Sequence, residues 1–118
     1  MSARIILVDD DPEVHKDINI FLKALGLEPV ESCFNSSQAR DKINEKNYDV
    51  MIVDEYMPGE LGHELLKSLG VEKPKKVFML TNADVNLLDR ILTNTNVIVD
   101  GIFNKFDFYS KMANLIKT

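Results

Sequence analysis

Asp9, Asp10 and Asp11 directly follow a short apolar run, and Asp54 follows another. Thr81 directly follows a later apolar run, and Lys105 comes after another with one residue, Asn104, between. If those runs are strands of one parallel sheet, the carboxylates of Asp9, Asp10 and Asp54, one hydroxyl and one ammonium converge on one rim. Carboxylates a few ångströms apart raise one another's pKa, and a bound divalent cation relieves that repulsion. Hard oxygen ligands with room for waters suit Mg²⁺, which is commonly held by one or two carboxylates plus a substrate phosphate. Lys105 can neutralise phosphoryl oxygens, and the Thr81 hydroxyl can donate a hydrogen bond to one. An aspartate can serve as the nucleophile, forming an acyl phosphate. The combination therefore predicts phosphoryl-transfer chemistry. Taken singly, each residue has a plainer role: an Asp as a turn former, Thr81 as a helix N-cap, Lys105 as a surface charge. The conjunction at four different strand ends carries the argument.

Those residues need a frame, and the hydropathy pattern supplies one. Short apolar runs alternate with longer amphipathic stretches, divided by Gly, Pro, Asn or Asp. Arg4 to Val8 reads as a first strand, apolar on consecutive positions as in a sheet covered on both faces. Asp11-Pro12 opens a helix as N-cap and first helical residue. Val14, Ile18, Phe21, Leu22 and Leu25 form its stripe, and Gly26 ends it. A second strand is expected from Glu28 to Cys33, at an edge because Pro29 interrupts it. Ser36 or Ser37 is expected to cap a second helix running to about Lys46, with Ala39 and Ile43 inward. Val50 to Val53 gives a third strand, and Leu61, Leu65, Leu66 and Leu69 a third helix closed by Gly70. Val77 to Leu80 gives a fourth strand, and Val85, Leu88, Ile91 and Leu92 a fourth helix. A fifth strand is expected within Val97 to Phe103, then a closing helix carrying Phe108, Met112, Leu115 and Ile116. Five such βα units predict a doubly wound parallel sheet whose site lies at the carboxyl ends of the strands.

The whole-chain arithmetic agrees. One hundred and eighteen residues, 45% hydrophobic and 28% charged, predict a single globular domain over residues 1–118. No apolar run approaches the ~20 residues that span a bilayer, and the first residues lead into a strand rather than a secretory signal. One cysteine, Cys33, permits no internal disulfide and makes a reducing cytoplasm the simplest compartment. A net charge of -5 argues against direct nucleic-acid binding. The cluster Lys73, Lys75 and Lys76 reads as a solvated loop.

The sequence resembles the receiver domain of bacterial two-component response regulators. The resemblance rests on Ile5-Ile6-Leu7-Val8-Asp9-Asp10-Asp11-Pro12, on Tyr48 to Gly59 with its Asp-x-x-Met-Pro-Gly element, on Val77 to Thr81, on the strand ending at Lys105, and on Gly62-His63-Glu64-Leu65-Leu66. It implies a flavodoxin-like (βα)₅ three-layer sandwich with strand order 2-1-3-4-5. It also implies that Asp54 is the phosphoacceptor. Mg²⁺ would be held by Asp10 directly, by Asp9 largely through water, by Asp54, and by the backbone carbonyl of Tyr56. Thr81 and Lys105 would hold the phosphoryl group. The phosphodonor would be a sensor histidine kinase or a histidine phosphotransfer protein. The output would be a changed affinity for a downstream effector, through the face of the fourth helix, fifth strand and fifth helix. Such a chain is a signalling domain with intrinsic phosphotransfer and autodephosphorylation chemistry rather than an enzyme acting on a separate substrate. It is expected in the cytoplasm, as a stand-alone regulator or as a receiver excised from a longer protein.

Several positions depart from the family pattern. Lys105 is followed by Phe106 where a Pro joined by a cis bond is usual. Ile102 occupies the usual aromatic switch position, so a ring rotation cannot accompany the movement of Thr81. Asn82 is bulkier than the usual small residue. Leu61 replaces an Asp that would cap the third helix. Glu55 adds an acid beside Asp54, although strand alternation directs it away. Leu87, with Ile91 and Phe106, is a candidate exposed patch. His15 and His63 are expected to be surface or internally satisfied residues, and Cys33 a small packed one. The alternative function is a phosphorylation-independent docking module on the same fold, to which Ile102 and Phe106 give weight. A flavin-binding flavodoxin is disfavoured, because three acids stand where a phosphate loop would have to be.

Overall fold

The computed structural model describes residues 3–105, 107 and 108. Five strands, β1 (Ile5–Val8), β2 (Glu31–Cys33), β3 (Val50–Asp54), β4 (Lys76–Thr81) and β5 (Gly101–Asn104), form one sheet. Every neighbouring pair is parallel, and the order is β2-β1-β3-β4-β5. Four helices connect them: α1 (Pro12–Ala24), α2 (Ser36–Glu45), α3 (Gly62–Leu69) and α4 (Val85–Thr95), with a short 3₁₀ turn at Gly70–Glu72.

Alternation along the central strands sorts the core into two layers. Ile6, Val8, Met51, Val53 and Met79 pack with Ala39 of α2, Leu65, Leu66 and Leu69 of α3, and Leu88 and Leu92 of α4. Ile5, Leu7, Val50, Ile52, Phe78 and Leu80 pack on the opposite face with Ile18 and Leu22 of α1 and with Phe108. Both faces of the sheet are thus covered, the condition that a parallel sheet of near-continuous apolar strands requires. The molecule is the expected flavodoxin-like sandwich.

Local chemistry explains most boundaries. Asp11 caps α1 by accepting the Glu13 N–H at 3.0 Å, with Pro12 at the first helical position. Leu25 is the C-terminal cap, and Gly26 follows it at φ 74°, a left-handed conformation that suits glycine. Asn35, rather than Ser36 or Ser37, caps α2: its side chain accepts the Gln38 N–H at 2.9 Å, and Ser36 is already helical. Pro29 does mark an edge strand, but β2 starts only at Glu31. β4 takes in Lys76 and Thr81, so Lys76 belongs to the sheet rather than to a loop. β5 is confined to Gly101–Asn104, with Val97 buried in the preceding loop. Apart from Phe108, the residues that mark the closing helix fall outside the described residues, as does Phe106. Among the described residues no helix is long and apolar enough to cross a membrane.

The order places β1 beside β3 at the point where the winding reverses. Ligand crevices of doubly wound folds form there, and Asp9 and Asp54 stand at the carboxyl ends of those two strands.

Candidate functional site

Asp9 continues β1 and Asp54 closes β3, with Val8 and Val53 paired between them. Oxygens of Asp9, Asp10 and Asp54 can all lie within 4.8 Å of one another. Asp9 and Asp54 are buried, whereas Asp10 is exposed. Lys105 reaches in from beyond β5, with its Nζ 2.9 Å from Asp9 Oδ2 and 3.4 Å from Asp54 Oδ2. Thr81, the last residue of β4, is fully buried, and its Oγ1 accepts the Ala83 N–H at 2.9 Å. The register pairs Asp54 with Leu80, so Thr81 stands one residue further along the adjacent strand. The fold thus brings Asp9, Asp10, Asp54 and Lys105 together, with Thr81 at the end of the neighbouring strand.

The electrostatics follow from that crowding. Burial, then the charge of Asp9, pushes the Asp54 pKa up to about 6. Lys105 and the backbone N–H of Tyr56 act in the opposite sense but do not cancel the rise. For Lys105, burial works to lower the pKa. The hydrogen bond to Asp9 and the charge of Asp54 together outweigh it, and the ammonium stands above its ordinary range. A buried carboxylate that resists ionisation, beside two more carboxylates, is a donor set that a small divalent cation would stabilise. All its oxygens are hard ligands of the type Mg²⁺ selects.

Asp9 is the most constrained member. Its N–H donates to Cys33 O at 3.0 Å, its Oδ1 accepts the Asp11 N–H at 2.9 Å, and its Oδ2 faces Lys105. Its carbonyl lies 2.7 Å from His15 Nε2. Most of its acceptor capacity is therefore engaged by the protein itself. Asp10, exposed at the mouth, has more freedom to meet an ion directly. Tyr56, two residues past the end of β3, is also exposed.

Glu55 does point away from the acid cluster, yet it does not reach solvent. It is completely buried, and its carboxylate is gripped by His63, through the backbone N–H at 2.8 Å and ring Nδ1 at 2.6 Å. His63 is thus satisfied internally, as is His15, whose Nδ1 lies 2.8 Å from Ser32 Oγ. Gly62 approaches the backbone of Asp54 so closely that a Cβ would collide with the Asp54 carbonyl, and its N–H donates to Glu55 O at 2.9 Å. Sequence reasoning did not assign Gly62, His15 or Glu55 a part in building the site. The one available signal was the Gly62-His63-Glu64 string placed a fixed distance after Asp54. Ile102 pairs with Met79 and packs against the core layer that includes Leu88 and Leu92 of α4. Cys33 is fully buried, and burial pushes its thiol up to about 11, which leaves it unreactive.

Residues 5–106 match the family model described as the response regulator receiver domain. The regulatory protein VanRB of Enterococcus faecalis is 35% identical over 81 residues, which is 69% of this chain and 36% of that protein. A protein-glutamate methylesterase/protein-glutamine glutaminase of Agrobacterium fabrum is also 35% identical over 81 residues, covering 68% of this chain and 23% of that protein. The chain therefore matches about a third or less of the length of these two relatives. Among solved structures, the response regulator TrrA of Thermotoga maritima, in complex with Mg²⁺-BeF, is 28% identical. It has a TM-score of 0.78 and covers 99% of this chain and 98% of that one. The chemotaxis protein CheY4 of Vibrio cholerae has a TM-score of 0.85 at 22% identity, covering 99% and 98% of the two chains, and supports the fold.

Proposed function

The chain belongs to the response regulator receiver family of phosphorylation-based two-component signalling, and from that premise we propose that residues 1–118 form one Mg²⁺-dependent receiver whose phosphoacceptor is Asp54. The observation that carries this reading is the meeting of Asp54 with Asp9, Asp10 and Lys105 at the β1–β3 reversal. Asp10, Asp54 and the Tyr56 carbonyl would hold the cation directly, and Asp9 largely through water. When bound, Mg²⁺ supplies positive charge against the phosphoryl oxygens and draws Asp54 into its ionised form.

The rest of the chemistry is the protein's own. An ionised Asp54 oxygen attacks phosphorus in line. The new P–O bond forms as the P–N bond of a donor phosphohistidine breaks, and the electron pair of that bond stays on the imidazole. Lys105 turns its ammonium from the two carboxylates to the transferred oxygens, and the Thr81 O–H donates to one of them. Hydrolysis of the acyl phosphate resets the domain. The donor is a sensor histidine kinase or a histidine phosphotransfer protein. The recipient of the signal is an effector that reads α4, β5 and the expected closing helix. The domain is a signalling switch rather than an enzyme with a separate substrate, and the cytoplasm is its proposed location. Intact mass after incubation with Mg²⁺ and a small acyl-phosphate donor tests this directly. One added phosphoryl group is expected on the native chain and none on Asp54→Asn; labelling of that variant would reject the assignment.

A further inference from the structure

His15 is buried on the first turns of α1, and both of its ring nitrogens are engaged. Nε2 lies 2.7 Å from the Asp9 carbonyl, which can only accept, so Nε2 carries a proton. Nδ1 lies 2.8 Å from the Ser32 hydroxyl, and the ring packs on Phe34 with centroids 4.4 Å apart. The imidazole therefore spans three segments: α1, the carboxyl end of β2, and the end of β1.

The bond it makes falls on a sensitive atom. The Asp9 carbonyl and the Asp10 N–H belong to one rigid peptide plane. Fixing that oxygen fixes the direction in which the chain leaves β1 and hence where Asp10 departs. Asp10 is exposed, and one of its carboxylate oxygens lies within 4.8 Å of those of Asp9 and Asp54. The opposite end of Asp9 is already held by its N–H to Cys33 O. His15 supplies the second anchor that prevents the plane from rotating.

We propose that His15 is a positioning residue for the divalent-cation site, holding the Asp9–Asp10 peptide so that the Asp10 carboxylate faces the ion. The inference rests on the metal reading above and extends it to an edge strand: Ser32 of β2 orients the ring that orients the site. Partners one shell out from a metal ligand commonly change affinity by about 10- to 100-fold when removed.

Mg²⁺ titration by calorimetry of the native chain, His15→Gln, His15→Phe and Asp10→Ala tests it. Gln keeps an N–H donor of similar reach and should bind within about threefold of the native chain, whereas Phe keeps the ring packing without the donor and should lose about tenfold. Equal affinities for His15→Phe and the native chain would overturn the proposal, and so would equal losses in both His15 variants, which would indicate packing alone. An inert native chain would instead overturn the metal reading and this inference with it. Asp10→Ala sets the scale for a lost ligand. If His15→Phe does not fold, Ser32→Ala takes its place, with a several-fold loss expected and unchanged binding counting against the proposal. Nitrogen NMR of the native ring gives a reading independent of the metal. The Nε2–H tautomer is expected, and the Nδ1–H tautomer would overturn the assignment.

Discussion

Burial and the neighbouring Asp9 carboxylate both oppose ionisation of Asp54, so the role proposed for this side chain is in conflict with stability. Its pKa stands near 6 in the folded chain against an ordinary 3.8. Between about pH 4 and pH 6 the folded protein holds a proton that the unfolded chain has released. Stability contributed by this group therefore falls as pH rises through that window and stays low above it. At roughly 1.4 kcal/mol per pH unit, Asp54→Asn is expected to stabilise the metal-free protein at pH 7 by about 1–3 kcal/mol and to flatten the acid side of its profile. Denaturant unfolding of both chains in a chelator, at several pH values, measures this; a variant no more stable at pH 7 would contradict it. Saturating Mg²⁺ should remove the advantage, because the native site then gains binding energy that Asn provides poorly. A second expectation concerns Glu55. His63→Ala leaves that buried carboxylate with its backbone donor but without the ring, which should cost about 1–3 kcal/mol in the same experiment. Unchanged stability would mean that the pair contributes little.

At the scale of elements, the junction between β3 and α3 concentrates the constraints. α3 has no side-chain acceptor at its cap, since Leu61 stands there. Glu64 Oε1 instead takes the Leu61 N–H at 2.9 Å, and Glu55 holds the first turn through the His63 N–H. This lets the helix start directly against the strand, with Gly62 touching the Asp54 backbone. Gly62→Ala must push that backbone or the Met79 side chain aside. The expected loss is about 1–3 kcal/mol of stability, with weakened Mg²⁺ binding because the displaced residue is Asp54 itself. Normal Mg²⁺ affinity in the folded variant would show that the junction does not position the site. This junction also marks the boundary of what the amino-acid order disclosed. Strand ends were legible because Asp9, Asp54 and Thr81 each break an apolar run and Asn104-Lys105 ends another, and those breaks, with a parallel sheet, place the acid cluster on one rim. α1 was legible from Asp11-Pro12 and its stripe. Contacts between distant segments were not: nothing local says that Glu55 turns to His63 or that His15 reaches the Asp9 carbonyl. Asn35 was missed as a cap because two serines beside it suit the same role, and only the backbone direction chooses among them. β2 was overrun at its start because the apolar Val30 joins Pro29 to the strand in the pattern but not in the ladder.

For the whole molecule, the proposed phosphorylation of Asp54 raises the question of how a charge placed there would reach an effector. The usual aromatic position is filled by Ile102, which is β-branched, stiff at χ1 and packed against the layer that holds Leu88 and Leu92. No ring can swing there. Thr81 ends β4 beside β5, and Ala83, bonded to its Oγ1, leads through Asp84 directly into α4. Movement of Thr81 toward a phosphoryl group would therefore pull the start of α4, whose outer face carries the exposed Leu87 and Arg90. A shift of α4 as a body is the route these contacts favour. A ligand moves such an equilibrium only by its differential affinity for the two states, and coupling of about 1–3 kcal/mol is typical. The affinity of a cognate effector should accordingly change about 5- to 150-fold when a beryllofluoride phosphate mimic occupies Asp54. Leu87→Ala should weaken that complex while leaving phosphorylation of Asp54 unchanged, since Leu87 lies on the outer face of α4 and not among the site residues. The measurement is a binding titration with and without the mimic, at confirmed saturation. Equal affinities in the two conditions would replace the switch with a docking surface that ignores phosphate, the one arrangement in which Ile102 would have no signal to transmit.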